Sequence, residues 1–250
     1  VSAKREQAKI LIFDTEIAPI LAYVWKRYEA NVVHVLKEQE MLCYAYKWLG
    51  GKTQVVTLRD FTGKREYKLV KSLRDLIEQA DIIIAHNGDS FDLKITNTRI
   101  IYHGLPPIPE IKTVDTLKLA RRHFKFSSNK LGDLGEFLGL GGKVKHEGFD
   151  LWLGCMNDNE KSWKTMIRYN KQDVDLLEKV YLKIRPFVKN HPNLNIYQKT
   201  TYSCPKCGSD KIVKWGFHYL KKKVQQRYRC KNCTALTPGE NIIVNKDIIG

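Results

Sequence analysis

The chemistry legible in this chain lies in three short motifs built around five side chains, and in four cysteines set in two pairs. Asp14 and Glu16 stand two apart at the end of the apolar run Lys9–Phe13, so the alternation of a strand puts both carboxylates on one face. Asn87-Gly88-Asp89-Ser90-Phe91-Asp92 follows a second apolar run, Asp81–Ala85, and opens a helix with Asp92 in its first turn. Tyr169 and Asp173 are four apart and stack on one helical face. Each motif has an ordinary reading. Carboxylates commonly end strands as solvated turn residues, Asp92 complements a helix dipole with Asp89 or Ser90 as the cap, Tyr169 is a core aromatic, and Asp173 is a helix-start acid. Together they read differently. Four carboxylates are an oxygen-only ligand set suited to Mg²⁺ or Mn²⁺ that leaves places for water and phosphate. Two such ions ~3.5–4 Å apart supply what phosphodiester hydrolysis needs: an activated water, charge neutralisation and help for the leaving oxygen.

The elements that must position these groups follow from periodicity and punctuation. Lys9–Phe13 and Asp81–Ala85 read as buried strands, and 41–48 and 53–58 as a hairpin turned at Gly50-Gly51. A helix is predicted over 72–77 with Ser72 as N-cap, another over 91–102, a short strand over 111–114, and short helices over 116–123 and 130–138. The last element is a long amphipathic helix over 172–187, with Val174, Leu176, Leu177, Val180, Tyr181 and Ile184 on its apolar face. Antiparallel strands followed by strands alternating with helices imply a mixed α/β sheet flanked by helices.

In order and in placement, the three motifs resemble those of the DEDD superfamily of RNase-H-like 3'–5' exonucleases, which includes the proofreading domains of DNA polymerases and ribonuclease D. The match, over about residues 8–187, is to the tyrosine subclass; the histidine subclass carries His five residues before the final Asp, where this chain has Arg168. The resemblance implies an RNase-H-like fold and two Mg²⁺ or Mn²⁺ ions. It implies that Asp14 bridges both ions, that Glu16 and Asp173 hold the one that activates water, and that Asp92 supports the second. Tyr169 would then orient the attacking water by hydrogen bond, since a phenol of pKa ~10 is a poor base at neutral pH. Among the other polar residues, Asp115 is expected to cap the helix at Thr116, and Asp175 to be solvated. Asn87 braces the second motif or contacts a terminal nucleotide, Lys130 meets a backbone phosphate, and His86, His123 and His146 are ordinary surface or packing residues.

Cys204-Pro-Lys-Cys207 and Cys230-Lys-Asn-Cys233, with 22 residues between them, have the spacing of a closed tetrahedral Zn²⁺ site. Two strands, 211–215 and 225–229, lie between the pairs, and so small a module needs the metal to fold. The segment resembles the zinc ribbons of transposases and other DNA-handling proteins, with one departure: Thr234 stands where the second knuckle usually has Gly. Lys214, Trp215, Lys221, Lys222, Lys223, Arg227 and Arg229, mixed with Phe217, Tyr219 and Tyr228, favour nucleic-acid contact by phosphate neutralisation and stacking. The competing reading is a structural clasp or protein-interaction module. Cys43 and Cys155 read as reduced thiols.

Charge and composition point the same way. The 250 residues carry 43 Lys/Arg against 27 Asp/Glu, a net charge of +16, and residues 191–250 hold +8 of it. Such a chain is attracted to polyanions, nucleic acid first. A hydrophobic fraction of 43% excludes the disordered classes, no run reaches the ~18 residues of a membrane span, and the N-terminus lacks the apolar segment of a signal peptide. A cytoplasmic protein is expected, prokaryotic or viral, with an exonuclease domain over 1–190, a linker over 191–199 and a zinc ribbon over 200–250. The expected activity is 3'–5' exonucleolytic hydrolysis at single-stranded DNA 3' ends. The alternatives are an RNA 3'-end processing exonuclease and a non-catalytic nucleic-acid-binding protein, and a replication or repair partner stays open.

Overall fold

A computed structural model describes residues 7–28, 31–142, 147–197, 203–221 and 223–242; His146 and Lys222 lie outside them. In chain order the strands and helices are β1 (Ile10–Ala18), β2 (Leu21–Tyr23), β3 (His34–Lys37), β4 (Glu40–Trp48), β5 (Gln54–Thr57), α1 (Arg65–Ile77), β6 (Ile82–Ala85), α2 (Asp92–Tyr102), β7 (Lys112–Asp115), α3 (Thr116–His123), α4 (Leu131–Phe137), α5 (Asp150–Met156), α6 (Glu160–Ile184), β8 (Ile212–Leu220), β9 (Lys223–Cys230) and β10 (Leu236–Ile242). They divide into two compact units, Lys9–Tyr181 and Leu182–Gly250 together with Val1–Ala8.

In the first unit the strand order is β5-β4-β1-β6-β7, with β4 antiparallel to β1 and β5, and β6 parallel to both β1 and β7. β1 is central because Ile10, Leu11, Ile12 and Phe13 are apolar on both faces, the pattern of a strand covered on each side. Leu11 and Phe13 pack with Met41 and Cys43 of β4, Leu69, Leu73 and Ile77 of α1, and Leu151 of α5. Gly50 turns the β4–β5 hairpin at φ +79°, a conformation open to glycine at little cost.

Several expectations are corrected. α1 starts at Arg65, so Ser72 is internal: its hydroxyl donates to Leu69 O at 2.7 Å and lies 2.9 Å from Tyr44 Oη. The charged first turn, Arg65–Lys68, hid the start of the buried face Leu69–Leu73. α6 starts at Glu160, so Asp173 is a buried mid-helix residue rather than a helix-start acid. α2 has Phe91 at its N-cap position with no side-chain cap, because Asp89 turns away to Lys118 Nζ, 2.8 Å off. Asn87 O instead accepts from Ser90 N and Phe91 N. Asp175 is not merely solvated: it accepts from Lys47 Nζ at 3.2 Å and from Thr53 Oγ1. Asp115 does cap α3, accepting from Leu117 N and Lys118 N.

A buried ion pair ties α1 to α2 and β4. Arg99 Nε and Nη2 each donate to Glu66 at 2.6 Å, Met41 N donates to it at 2.9 Å, and His103 Nε2 lies 2.9 Å away. Burial raises the Glu66 carboxyl, but the Arg99 and Met41 bonds outweigh it and hold it below the ordinary value. Glu66→Ala strands the guanidinium and should cost about 3–5 kcal/mol in urea unfolding. Because the folded pKa is depressed, the contribution is present above the ordinary carboxylate pKa and is lost as pH falls through the folded one. The variant should therefore lose less stability than the parent on acidification below that ordinary value.

In the second unit β8, β9 and β10 form an antiparallel sheet in the order β10-β9-β8. Both predicted strands run longer than expected, and β10 was unread because Pro238-Gly239 signals a turn; there the β9–β10 register breaks between Pro238 and Asn241. Residues 191–197 bind the first cysteine knuckle: Leu194 N donates to Pro205 O at 2.8 Å, and the Asn195 amide bonds to Ser203 through O and Oγ. Lys206 Nζ donates to Pro186 O at 2.7 Å. Among the described residues no helix is long and apolar enough to cross a membrane.

Candidate active site and metal centre

β1 delivers Asp14 and Glu16, opposite Ala45 and Cys43 of β4, and the register shifts immediately after Glu16. A bulge at that point bends the strand where its side chains must be aimed. On its other edge β1 pairs with β6 only as far as Ile12–Ile84. Beyond that, Thr15 N donates to Asp92 Oδ1 at 2.9 Å and Thr15 Oγ1 does so at 2.7 Å, so the first residue of α2 is bonded to the backbone between the two acids of β1. Burial pushes the Asp92 carboxyl up to about 6, against the Thr15 bonds that favour the anion, and the nearby Asp115 adds to the rise.

Two details of the β6–α2 turn hold Asp92 in place. Asn87 sits at φ +67°, a conformation Asn tolerates, and its N–H donates to Asp115 Oδ1 at 3.0 Å. Gly88 packs so closely that an added Cβ would lie 2.3 Å from Ala85 Cβ.

From α6, Asp173 and Tyr169 are both buried, and the Tyr169 ring meets Trp152 edge-on at 6.2 Å. Between them the fully buried Asn170 donates to Asp14 Oδ2 at 2.8 Å and accepts from Cys43 Sγ at 3.7 Å. Sequence reasoning missed Asn170; its place beside Tyr169 was the available signal, but the i+1 position does not reveal that this side chain turns inward to β1. Glu16 lies against Cys43 and Cys155, whose thiols are pushed up chiefly by burial and then by the Glu16 charge, Cys155 to about 12.

Asp14 and Asp173 line one cleft of about 700 Å³ together with His86, Asn87, Arg121 and the segment 127–133, including Lys130. Glu16, Asp92 and Tyr169 are buried and absent from its lining. His86, read as a surface or packing residue, braces the cleft: Nδ1 lies 2.9 Å from Thr116 Oγ1 and Nε2 lies 3.0 Å from Asn129 O. Phe91, at the start of α2, is half exposed.

The donor chemistry fits a hard divalent cation. Glu16, Asp92 and Asp173 are all buried carboxylates, and Asp92 is costly to ionise without a positive neighbour. The four acids nonetheless do not close into a compact ligand group among the described residues, Asp92 being turned to Thr15 and Asp14 to Asn170. Asn170 holds the Asp14 rotamer, so Asn170→Ala should weaken Mn²⁺ binding at the acidic cleft about 10–100-fold, the cost of removing a group that orients a candidate ligand. A Mn²⁺ titration checks this, with Asn170→Asp as companion.

The four cysteines do close. Their sulfurs all lie within 4.8 Å of one another, with Cys204–Cys233 and Cys207–Cys230 each at 3.6 Å. Four thiolates at the usual Zn–S length of about 2.3 Å have edges of roughly 3.8 Å, so the set fits tetrahedral Zn²⁺. Cys233 N and Asn232 Nδ2 donate to knuckle sulfurs, at 3.5 and 3.8 Å. Gly208 and Thr234 follow the second Cys of each pair at φ +74° and +62°. A β-branched residue there costs on the order of 1 kcal/mol, and Thr234→Gly should recover it, read as greater resistance to a zinc chelator.

On the ribbon, Lys214, Trp215, Phe217, Tyr219, Lys221 and Lys223 are exposed. The Arg229 guanidinium stacks 4.7 Å from the Trp215 ring centre and Arg227 Nε donates to Trp215 O at 3.1 Å, so both arginines buttress that tryptophan.

The central antiparallel trio, two parallel strands on one edge and flanking helices make this an RNase-H-like mixed α/β fold, with a small second unit that fits a zinc ribbon. Residues 29–185 match the family RNase_H_2, described as RNase_H superfamily, and the chain belongs to that superfamily. The matched span begins beyond β1, so Asp14 and Glu16 lie outside it. No curated protein matches the chain. Among solved structures it is similar to the family B DNA polymerase from the hyperthermophilic archaeon Pyrobaculum calidifontis. The identity is 15% and the TM-score 0.54, covering 72% of this chain and 25% of that one, a likeness of fold.

Proposed function

We propose that this protein is a metal-dependent 3'–5' exonuclease of the DEDD tyrosine subclass, releasing nucleoside monophosphates from single-stranded DNA 3' ends. The observation that carries the reading is the convergence of Asp14 from β1 and Asp173 from α6 on one cleft whose lining also holds Arg121 and Lys130. A carboxylate wall beside cations is what a phosphodiester needs: the cations hold the phosphate chain, and the acids sit at the reacting end.

Asp14, Glu16, Asp92 and Asp173 would hold two Mg²⁺ or Mn²⁺ ions, which supply Lewis-acid charge neutralisation and an acidified water. The chain's own groups do the rest. Asn170 fixes Asp14, and the Thr15 bonds favour the Asp92 anion and offset part of the cost of its burial. Tyr169, braced by Trp152, orients the attacking water by hydrogen bond, and Asn87 and Lys130 contact the terminal nucleotide and its phosphate. In this reading residues 1–190 are the nuclease domain, and the ribbon over 200–250 grips the nucleic acid through Lys214, Trp215, Lys221, Lys222, Lys223, Arg227 and Arg229. DNA is favoured over RNA by the ribbon's resemblance to those of DNA transposition proteins.

The test is 5'-labelled single-stranded DNA and RNA of one sequence, incubated with Mg²⁺ or Mn²⁺. A ladder shortening from the 3' end on DNA supports the proposal, and one on RNA alone reassigns the substrate. Cutting of a circular strand would make the enzyme an endonuclease, and no cleavage would leave a binding protein.

A further inference from the structure

Between the carboxylate strand and the rest of the sheet the chain throws out a two-stranded arm, β2 with β3, whose tip is chemically unlike the remainder of the first unit. Trp25 and Tyr28 are 81% and 94% exposed, Tyr23 is 61% exposed, and Lys26 and Arg27 between them are also exposed. Burial does not account for three large aromatic rings held in water. β2 begins at Leu21, five residues after Glu16, so the arm is rooted within about 18 Å of that acid along the chain. Exposed rings alternating with cations are the recurring means by which proteins hold unpaired bases, each ring stacking on a base while the cations meet phosphates.

We propose that the β2–β3 arm is a stacking platform for single-stranded nucleic acid, seating the unpaired bases of the strand whose 3' end occupies the carboxylate cleft. The proposal rests on the nuclease reading for the role of the cleft, but its binding chemistry stands without it. Charge favours a polyanion over a protein partner: between β2 and β3 two cations, Lys26 and Arg27, stand against one acid, Glu29, in a chain of net charge +16, and the rings beside them offer π-faces.

The experiment measures equilibrium binding of fluorescein-labelled dT20, and of an abasic strand of equal length, by anisotropy on the full chain with zinc and without other divalent ions, so that no cleavage is needed. W25A/Y28A should weaken dT20 binding about tenfold or more and leave the abasic strand almost unaffected. K26A/R27A should weaken both strands and lower the salt slope by about 1.4. The substituted residues are exposed, and an unchanged thermal melt certifies the fold. The proposal is overturned if W25A/Y28A binds dT20 as the parent does, or if the parent does not bind dT20. It is also overturned if the substitution instead abolishes a concentration-dependent self-association, which would make the arm a protein contact. Base-dependent binding through the arm without 3' shortening in Mn²⁺ would refute the nuclease reading alone.

Discussion

Cys230→Ser, or removal of zinc by a chelator, is expected to unfold the cysteine module while the first unit retains its melting transition. The three-stranded sheet of the second unit has little core of its own: the cluster around the knuckles consists of Cys204, Cys230, Cys233 and Ala235, with Cys207 and Ile212 against it. A structural zinc contributes on the order of 10–16 kcal/mol to such a module, more than a small domain's entire stability. Limited proteolysis should show new cleavage between residues 203 and 242 after chelation, reversed by added Zn²⁺. Protection that persists in the chelated protein would mean that the sheet folds on its own contacts.

On the proposed function, Asp173→Asn and Asp14→Asn are expected to reduce metal-dependent hydrolysis about 10³-fold each, since either would remove an anionic ligand worth several kcal/mol of transition-state stabilisation. The loss should not come from misfolding. Both residues line the cleft, and the substituted amide keeps the volume. Thermal stability should therefore hold or rise, because an acidic cluster without metal repels itself. A single substitution that lowers Mn²⁺ affinity while leaving the turnover at saturation unchanged would reassign that residue from reacting centre to rim.

The parts of the fold that were legible in the sequence are those whose signal is local. The apolar run Ile10–Phe13 announces a central strand, and the β4–β5 hairpin is announced by Gly50-Gly51 between two apolar runs. The Asp115 cap makes the start of helix α3 legible. What was missed depends on distant partners. The first three turns of α6 are written in polar residues around Trp163 and Met166, so the helix is recognisable only once α5 covers them. The β2–β3 arm is apolar in sequence but buries little, so no alternation of buried and polar positions marks its two strands.

The same division holds in the candidate site. Residue types and spacing pick out Asp14, Glu16, Asp92, Tyr169 and Asp173, but not how they are held. Thr15 bonds to Asp92 across 77 residues of sequence and Asn170 to Asp14 across 156, contacts made by tertiary packing alone. Asp175, two residues beyond Asp173, shows the limit in reverse. Its pairing with Lys47 and Thr53 depends on where β4 and the turn after it run, which the helix pattern cannot disclose.

The measurement that bears most directly on the central claim follows a label placed on the 3'-terminal nucleotide of single-stranded DNA, with Mg²⁺ present, for the parent and for Asp14→Asn. The account predicts that the parent releases the label first and entirely as a mononucleotide, and that the variant releases it about 10³-fold more slowly. Release of the label in longer fragments, or at the parent rate from Asp14→Asn, would contradict it.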